Sequence, residues 1–403
     1  MMGWALLFLT AACTEPTSES APVASDAEWL NLEAQARLPR FGADQNRLLL
    51  SYVVPDSADV YRLLVREREG GGWSDAREVA SGAAWFVNWA DYPSVKPFGS
   101  GEFYHYLAYS GEGTYDYDIR FGTGDALRGD SVLHTDGISA EHGFLSSAHQ
   151  PDGKLRVSWL DGRFTKQVET ADHDAHGHGG GGAMTLRTAL VHPNGTVTDR
   201  HELDHRVCDC CNTATAVAGD RTMVVYRDRS INEIRDIYYV LADGRGEWSA
   251  PQPVFDDGWE VAGCPVNGPA LAANARGGFA VAWYTAAAGR PRIQFARYDT
   301  LTLRFSPPVL LDSLNSLGRV DVKLAEDGTA YVLGMTSGDG EDGSVLMLWQ
   351  IDQGGGVTAT PVAEVSAARS AGFPRLALDK DSLWIAYTDT ERETVRLRRW
   401  PRE

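Results

Sequence analysis

Three of the chain's five cysteines, Cys208, Cys210 and Cys211, stand almost side by side in HRVCDCCNTATAV (205–217). Thiolates are soft ligands that suit Cu(I) and, less selectively, Zn(II), and imidazole suits both metals. Side chains two apart on an extended segment face the same way, so Cys208 and Cys210 are expected to chelate one ion while Cys211 points elsewhere. Imidazoles lie close by in sequence. His205 precedes Cys208 by three residues, and His173, His176 and His178 sit on the glycine-rich stretch DHDAHGHGGGG (172–182). A further thiol, Cys264, follows in VAGCPVNGPALA (261–272).

Disulfides are the competing use for these four cysteines. Adjacent Cα atoms are only ~3.8 Å apart, below the usual disulfide range, so a Cys210–Cys211 bridge would be strained. One bridge from Cys264 to the cluster is geometrically easy. One bridge beside a metal site, or redox exchange, therefore stays open. The histidine stretch also reads as a solvated insertion, and His142 is a weaker candidate than His205.

The compartment decides how thiols behave, and the N-terminus speaks to it. Residues 3–12 are an apolar run too short to span a bilayer, ending in small residues as a secretory signal does. Thr10-Ala11-Ala12-Cys13 resembles the lipobox of bacterial lipoproteins, although the usual leucine sits one place early, at Leu9, and no Lys or Arg precedes the run. The resemblance implies a signal peptide over 1–12, lipid on Cys13 and a Ser/Thr/Pro/Ala tether over 13–26. The expected location is the periplasmic face of a bacterial membrane, the outer one since Thr14 rather than Asp follows the cysteine. Export makes the surroundings oxidising. No other segment is long and apolar enough to be transmembrane.

The formal net charge is −18 and no basic stripe appears outside RLRRWPRE at the C-terminus, which argues against a nucleic-acid partner. An acidic surface instead concentrates cations. With 42 glycines, 12 tryptophans and no long amphipathic helical pattern, the chain reads as all-β.

A recurring unit specifies the arrangement. Its central part reads LPRFGADQNRLLLSYV at 38, PSVKPFGSGEFYHYLAYS at 93 and LSSAHQPDGKLRVSWLDG at 145. It continues as ATAVAGDRTMVVYRD at 214, PALAANARGGFAVAWYT at 269, VDVKLAEDGTAYVLGM at 320 and PRLALDKDSLWIAYTD at 374. Seven copies, about 50 residues apart, predict a β-propeller of seven four-stranded blades over 27–403, with six blades or a long sandwich as alternatives. The last copy stops after its third strand, so residues 27–36 are expected to pair with 394–402 and close the ring.

In such a blade, with strands A to D from the axis outward, the D-to-A connections and the B-to-C loops emerge on one face. Cys208, Cys210 and Cys211 precede strand A of blade 4, and Cys264 precedes strand A of blade 5. The histidine stretch is the B-to-C loop of blade 3. All three are expected to meet near one mouth of the central channel.

Each unit's tail, as in GRGEWSAPQPVFDDG (244–258), resembles the sialidase-type BNR repeat, which implies architecture rather than chemistry. More specific are CDCCNTA (208–214), VVYRDRSINEIRDIYYV (224–240) and DDGWEVAGCPVNGPALAAN (256–274). Together these resemble the copper-binding β-propellers called corbels. That resemblance implies Cu(I) bound by the cysteines and nearby histidines, and contact with periplasmic copper-handling proteins.

Two rival readings remain. A sialidase-type hydrolase needs an arginine clamp, a Tyr–Glu nucleophile pair and an acid. Arg227, Arg229, Arg319 and Arg369, with Tyr226 and Glu233, are the residues that can be cast, but none sits in a sialidase signature. YRDRSINEIRD reads better as an ion-pair network bracing adjacent blades. A non-catalytic binding propeller, its cysteines in disulfides, would use Trp85, Trp89 and Tyr92 in AAWFVNWADYPSV as a surface.

Overall fold

The computed structural model describes residues 28–57, 59–124, 130–166, 182–338, 343–380 and 382–402. Among these residues the strands form seven sheets, each with four strands on its main path. Blade 1 runs Arg37–Ala43, Leu48–Ser57, Val60–Glu69 and Arg77–Ala83. Blade 4 runs Ala214–Ala218, Arg221–Arg227, Ile237–Ala242 and Gln252–Pro253. The innermost strands of the other blades begin at Ser94, His142, Ala270, Ser316 and Arg375, so every blade falls on a repeat read from the sequence.

One packing rule explains why these segments are strands. Successive side chains of a strand point to opposite faces, and each face of a blade meets a neighbouring blade. In the second strand of blade 4, Val224 and Tyr226 pack toward blade 3 with Leu186 and Leu203. Met223 and Val225 pack toward blade 5 with Phe279 and Trp283. Blade 1 divides likewise, Leu50 and Leu64 facing blade 7 and Leu49 and Leu63 facing blade 2. The described residues thus hold one apolar cluster at each seam of the ring. Because second strands are covered on both sides they read as near-continuous apolar runs; Leu155–Asp161 and Ser382–Asp389 are buried at every position.

The chain's two ends meet in blade 7. Leu30–Asn31 pairs antiparallel with Thr394–Pro401, Leu30 opposite Leu397 and Asn31 opposite Arg396. The Leu32 N–H donates to Val395 O at 2.9 Å. The paired strand is shorter than the expected 27–36, and its anchor is a side chain. Trp29, 7 % exposed, lies in the cluster between blades 6 and 7, with its ring edge-on to Tyr387 at 5.0 Å.

Trp29→Ala should therefore destabilise the fold by about 3 kcal/mol or more. Leu30→Ala, at a position 50 % exposed, should change stability by less than about 0.5 kcal/mol. Denaturant unfolding of the two variants checks this. Equal midpoints would mean that the N-terminal segment does not secure the ring.

Candidate metal centre

Strand register brings the three segments of interest to one rim. In blade 3, His142 lies opposite Asp161, Asp161 opposite Thr185, and Met184 opposite Val207. The entry from blade 2, the connection after Asp161 and the exit into Cys208 therefore all leave the blade on the same side. His173, His176 and His178, carried by that connection, lie outside the described residues, as does Cys13.

Cys208 is the last residue tied to the sheet, its N–H donating to Arg227 O at 3.0 Å. The chain then turns at Asp209 and Cys210. Across the turn Cys211 Sγ returns to 3.6 Å from Cys208 Sγ, closer than Cys210 Sγ at 3.9 Å. The expectation that Cys211 points elsewhere is thus corrected. Two-residue alternation holds only for extended chain, whereas residues three apart converge across a turn.

All three sulfurs lie within 4.8 Å of one another. Cys264 is exposed and meets Cys210 side chain to side chain. None of the four is in a disulfide. A metal–sulfur bond of about 2.3 Å sets neighbouring sulfurs about 3.8 Å apart in a tetrahedron and about 4.0 Å apart in a trigonal plane. The observed separations fit one shared soft ion.

Ionisation within this cluster is favoured at Cys208. Its contacts with the Cys210 and Cys211 sulfurs, and the Arg235 guanidinium with its Nη1 at 3.2 Å, hold the Cys208 thiol well below the usual range. Burial pushes the Cys211 thiol up to about 12, the neighbouring Cys208 thiolate adding to the effect. Cys210 is raised by its bonds to the other thiols. Three thiols in mutual contact, one of them favoured for ionisation, form a chelate that loses protons when a metal binds.

A chain of alternating charge holds this arrangement. Arg235 pairs with Glu233 at 2.7 Å, Glu233 with Arg229 at 2.7 Å, and Arg229 with Asp209 at 3.0 Å, beside Cys208. Within the same YRDRSINEIRD motif, Arg227 braces the adjacent blade through carbonyls rather than ion pairs. Fully buried, it donates to Arg235 O at 2.5 Å, Asn267 O at 2.7 Å and Tyr284 O at 2.8 Å, with its guanidinium 4.7 Å from the Trp259 ring centroid. The two cysteine motifs also touch. Asn212 Nδ2 donates to Pro269 O at 3.0 Å, and a Cβ on Gly268 would come within 2.2 Å of Asn212 O. Only glycine permits that approach.

Other candidates lie apart from the sulfurs. His205 points to solvent, its side chain 88 % exposed. A register shift between the Leu186–Asp204 and Met184–Val207 pairs adds a residue to the outer strand, and such a bulge re-aims side chains. His142 is buried against His134. Tyr226 donates to Asp204 Oδ2 at 2.6 Å rather than to Glu233, so the Tyr–Glu pair that a sialidase requires is not formed by these residues. Arg319 donates to the carbonyls of Ala367, Ala368 and Gly372. Trp85 and Tyr92 are buried, and Trp89 stacks on Phe373, so none of the three offers an open binding surface.

Sequence reasoning passed over Arg235, which its place in an ion-pair motif disguised. It also passed over Glu141, whose carboxyl is pushed up to about 8 by burial and then by the charges of Asp209, Asp91 and Cys264. No short-range signal marks Glu141.

No protein-family model matches the chain, and a search of curated proteins finds no match. Solved structures do. The polysaccharide lyase Uly1 aligns over 95 % of this chain and 94 % of its own at 10 % identity, with a TM-score of 0.52. A leech intramolecular trans-sialidase aligns over 96 % of this chain and 70 % of its own, at 10 % identity and a TM-score of 0.46. The fucose-specific lectin of Aleuria aurantia aligns over 81 % and 96 %, at 11 % identity and a TM-score of 0.43. At these identities the similarity concerns the fold and not its chemistry.

Arg235→Gln should raise the pH at which Cys208 loses its proton, because it removes the guanidinium that favours the thiolate. In reduced, metal-free protein the ultraviolet thiolate absorbance should show its lowest midpoint moving upward by about one pH unit or more. An unmoved midpoint would remove Arg235 from the site.

Proposed function

We propose that this protein is an exported copper carrier that holds Cu(I) at one mouth of the propeller through Cys208, Cys210 and Cys211, with Cys264 at the edge. The observation that carries this reading is a turn that gathers three cysteine sulfurs within 4.8 Å of one another. Sulfur donors at low coordination number favour Cu(I), and zinc is the lesser candidate. In this proposal His173, His176 and His178, on the segment that leaves blade 3 at the same rim, assist capture or release. The role is storage, sensing or delivery to periplasmic copper-handling proteins, with no turnover. His205 is not among the ligands in this proposal, since it faces solvent.

Anaerobic loading with Cu(I) against a competing chelator tests the assignment. The native protein should retain copper, and the Cys208→Ser/Cys210→Ser/Cys211→Ser variant should lose most of it. Copper retained equally by both, or by neither, overturns the proposal. Zinc retained by four thiols in a tetrahedron would assign a structural site instead.

Location is the second half of the proposal. Lipid on Cys13 would hold the propeller at the periplasmic face of the outer membrane, the 13–26 tether giving it reach. Cys13→Ala should release the protein from the membrane fraction into the soluble one. Unchanged partition into detergent would defeat the lipid anchor.

A further inference from the structure

A second group of ligand-type side chains lies at the seam of blades 2 and 3, and the thiol cluster makes no use of it. His134 follows the outer strand Ser131–Val132 of blade 2, and His142 opens the innermost strand His142–His149 of blade 3. Their rings stack with centroids 3.6 Å apart and planes 5° from parallel. Asp118, Asp136 and Asp161 surround them. His142 and Asp161 are fully buried, and His134 is 5 % exposed.

Every ring nitrogen in this pair faces an acceptor. His142 Nδ1 is 3.1 Å from Ala140 O and its Nε2 is 3.2 Å from Asp136 Oδ2. His134 Nδ1 is 3.2 Å from Asp136 Oδ2 and its Nε2 is 3.3 Å from Asp118 Oδ1. A neutral imidazole carries one N–H, so two neutral rings leave two lone pairs against anionic oxygens. His142 Nε2, both nitrogens of His134 and Asp136 Oδ2 are buried without a hydrogen bond of good geometry. Buried polar atoms of native proteins are normally satisfied, so four in one place ask for a missing partner.

The charge has the same sign. Three carboxylates face one close guanidinium, Arg163, which pairs with Asp136 at 3.0 Å and Asp161 at 2.7 Å. Arg187, farther off at 3.8 Å from Asp161, is committed to Glu202. Two negative charges are left over when both rings are neutral, which is the charge a divalent cation cancels.

We infer that Asp118, His134 and His142 form a binding site for a divalent first-row transition-metal ion such as zinc(II), separate from the thiol cluster. Their ligand atoms lie within 4.8 Å of one another. The His142 Nδ1–H is held by Ala140 O at 3.1 Å, which leaves the Nε2 lone pair of that ring for the ion, and Asp136 Oδ2 stands 3.2 Å from His134 Nδ1 as the counterpart on the other ring. Orientation of a ligating imidazole by a carbonyl or carboxylate on its other nitrogen is the usual outer arrangement of metal sites. Two imidazoles and a carboxylate suit ions of borderline softness, not the Cu(I) that thiolates favour. The stacked rings splay as the two lone pairs converge on one ion.

The test uses the full chain with Cys208, Cys210 and Cys211 changed to Ser, stripped of metal by a chelator at neutral pH. This isolates the site from the copper proposal, so either can fail alone. Titration with zinc(II) should show one equivalent bound. Cobalt(II) in its place should give visible ligand-field bands without thiolate charge transfer. His134→Gln and Asp118→Asn should each weaken zinc binding by at least about a hundredfold, with circular dichroism unchanged. No zinc bound by the thiol-free protein, as expected if two protons fill the site, overturns the inference. So does binding that neither substitution weakens.

Discussion

Everything in this molecule depends on the way each blade is covered on both faces. A sheet whose alternate side chains are all apolar cannot stop at an edge, so every blade needs two neighbours and the series has to close. Leu49 and Leu50, adjacent in sequence, belong to different seams, and the same division recurs in Met223 and Val224. Closure then falls on the chain ends. The Leu30–Asn31 strand is too short to contribute much by hydrogen bonding alone, and Trp29 wedged between blades 6 and 7 supplies the burial.

A ring built this way delivers connections to its rims without needing those connections to be regular. At one rim the connections into blades 4 and 5 meet, and they are held by backbone carbonyls rather than by packing. Arg227 spreads its donors over three carbonyls from three separate segments, and Asn267 hydrogen-bonds to Arg319 and Leu317 in blade 6. This fixed frame tolerates local strain. Glu233 at φ 57° and Val266 at φ 46° occupy the left-handed region that side chains disfavour. Such strain persists only where the surroundings over-determine the backbone, and both residues belong to the segments around the sulfurs.

Two donor chemistries follow from two environments. At the thiol cluster, a guanidinium and neighbouring sulfurs favour a soft anion at a partly open rim. At the seam of blades 2 and 3, stacked imidazoles and carboxylates are enclosed and carry excess negative charge. The proposed copper and divalent sites divide along that line. The residues with which a sialidase-like reading would have built catalysis are otherwise engaged: Tyr226 with Asp204, Arg227 and Arg319 with carbonyls.

By itself the sequence determined the all-β class, the seven blades and their centres, because the propeller repeat is local: a turn, an apolar strand covered on both faces and an aromatic end recur at a fixed spacing. It also marked the cysteines at the blade 3–4 and 4–5 connections, since connectivity in a propeller is as regular as the repeat. The tertiary structure decided which way those side chains point. Cys211 joins Cys208 because the chain turns where alternation assumed it extended, and His205 is lost to solvent through one extra strand residue. Arg235, Glu141 and His134 carried no signal along the chain, and His142 only a weak one. Their partners are brought together only when separate blades meet, and charge and burial act through space rather than along the backbone.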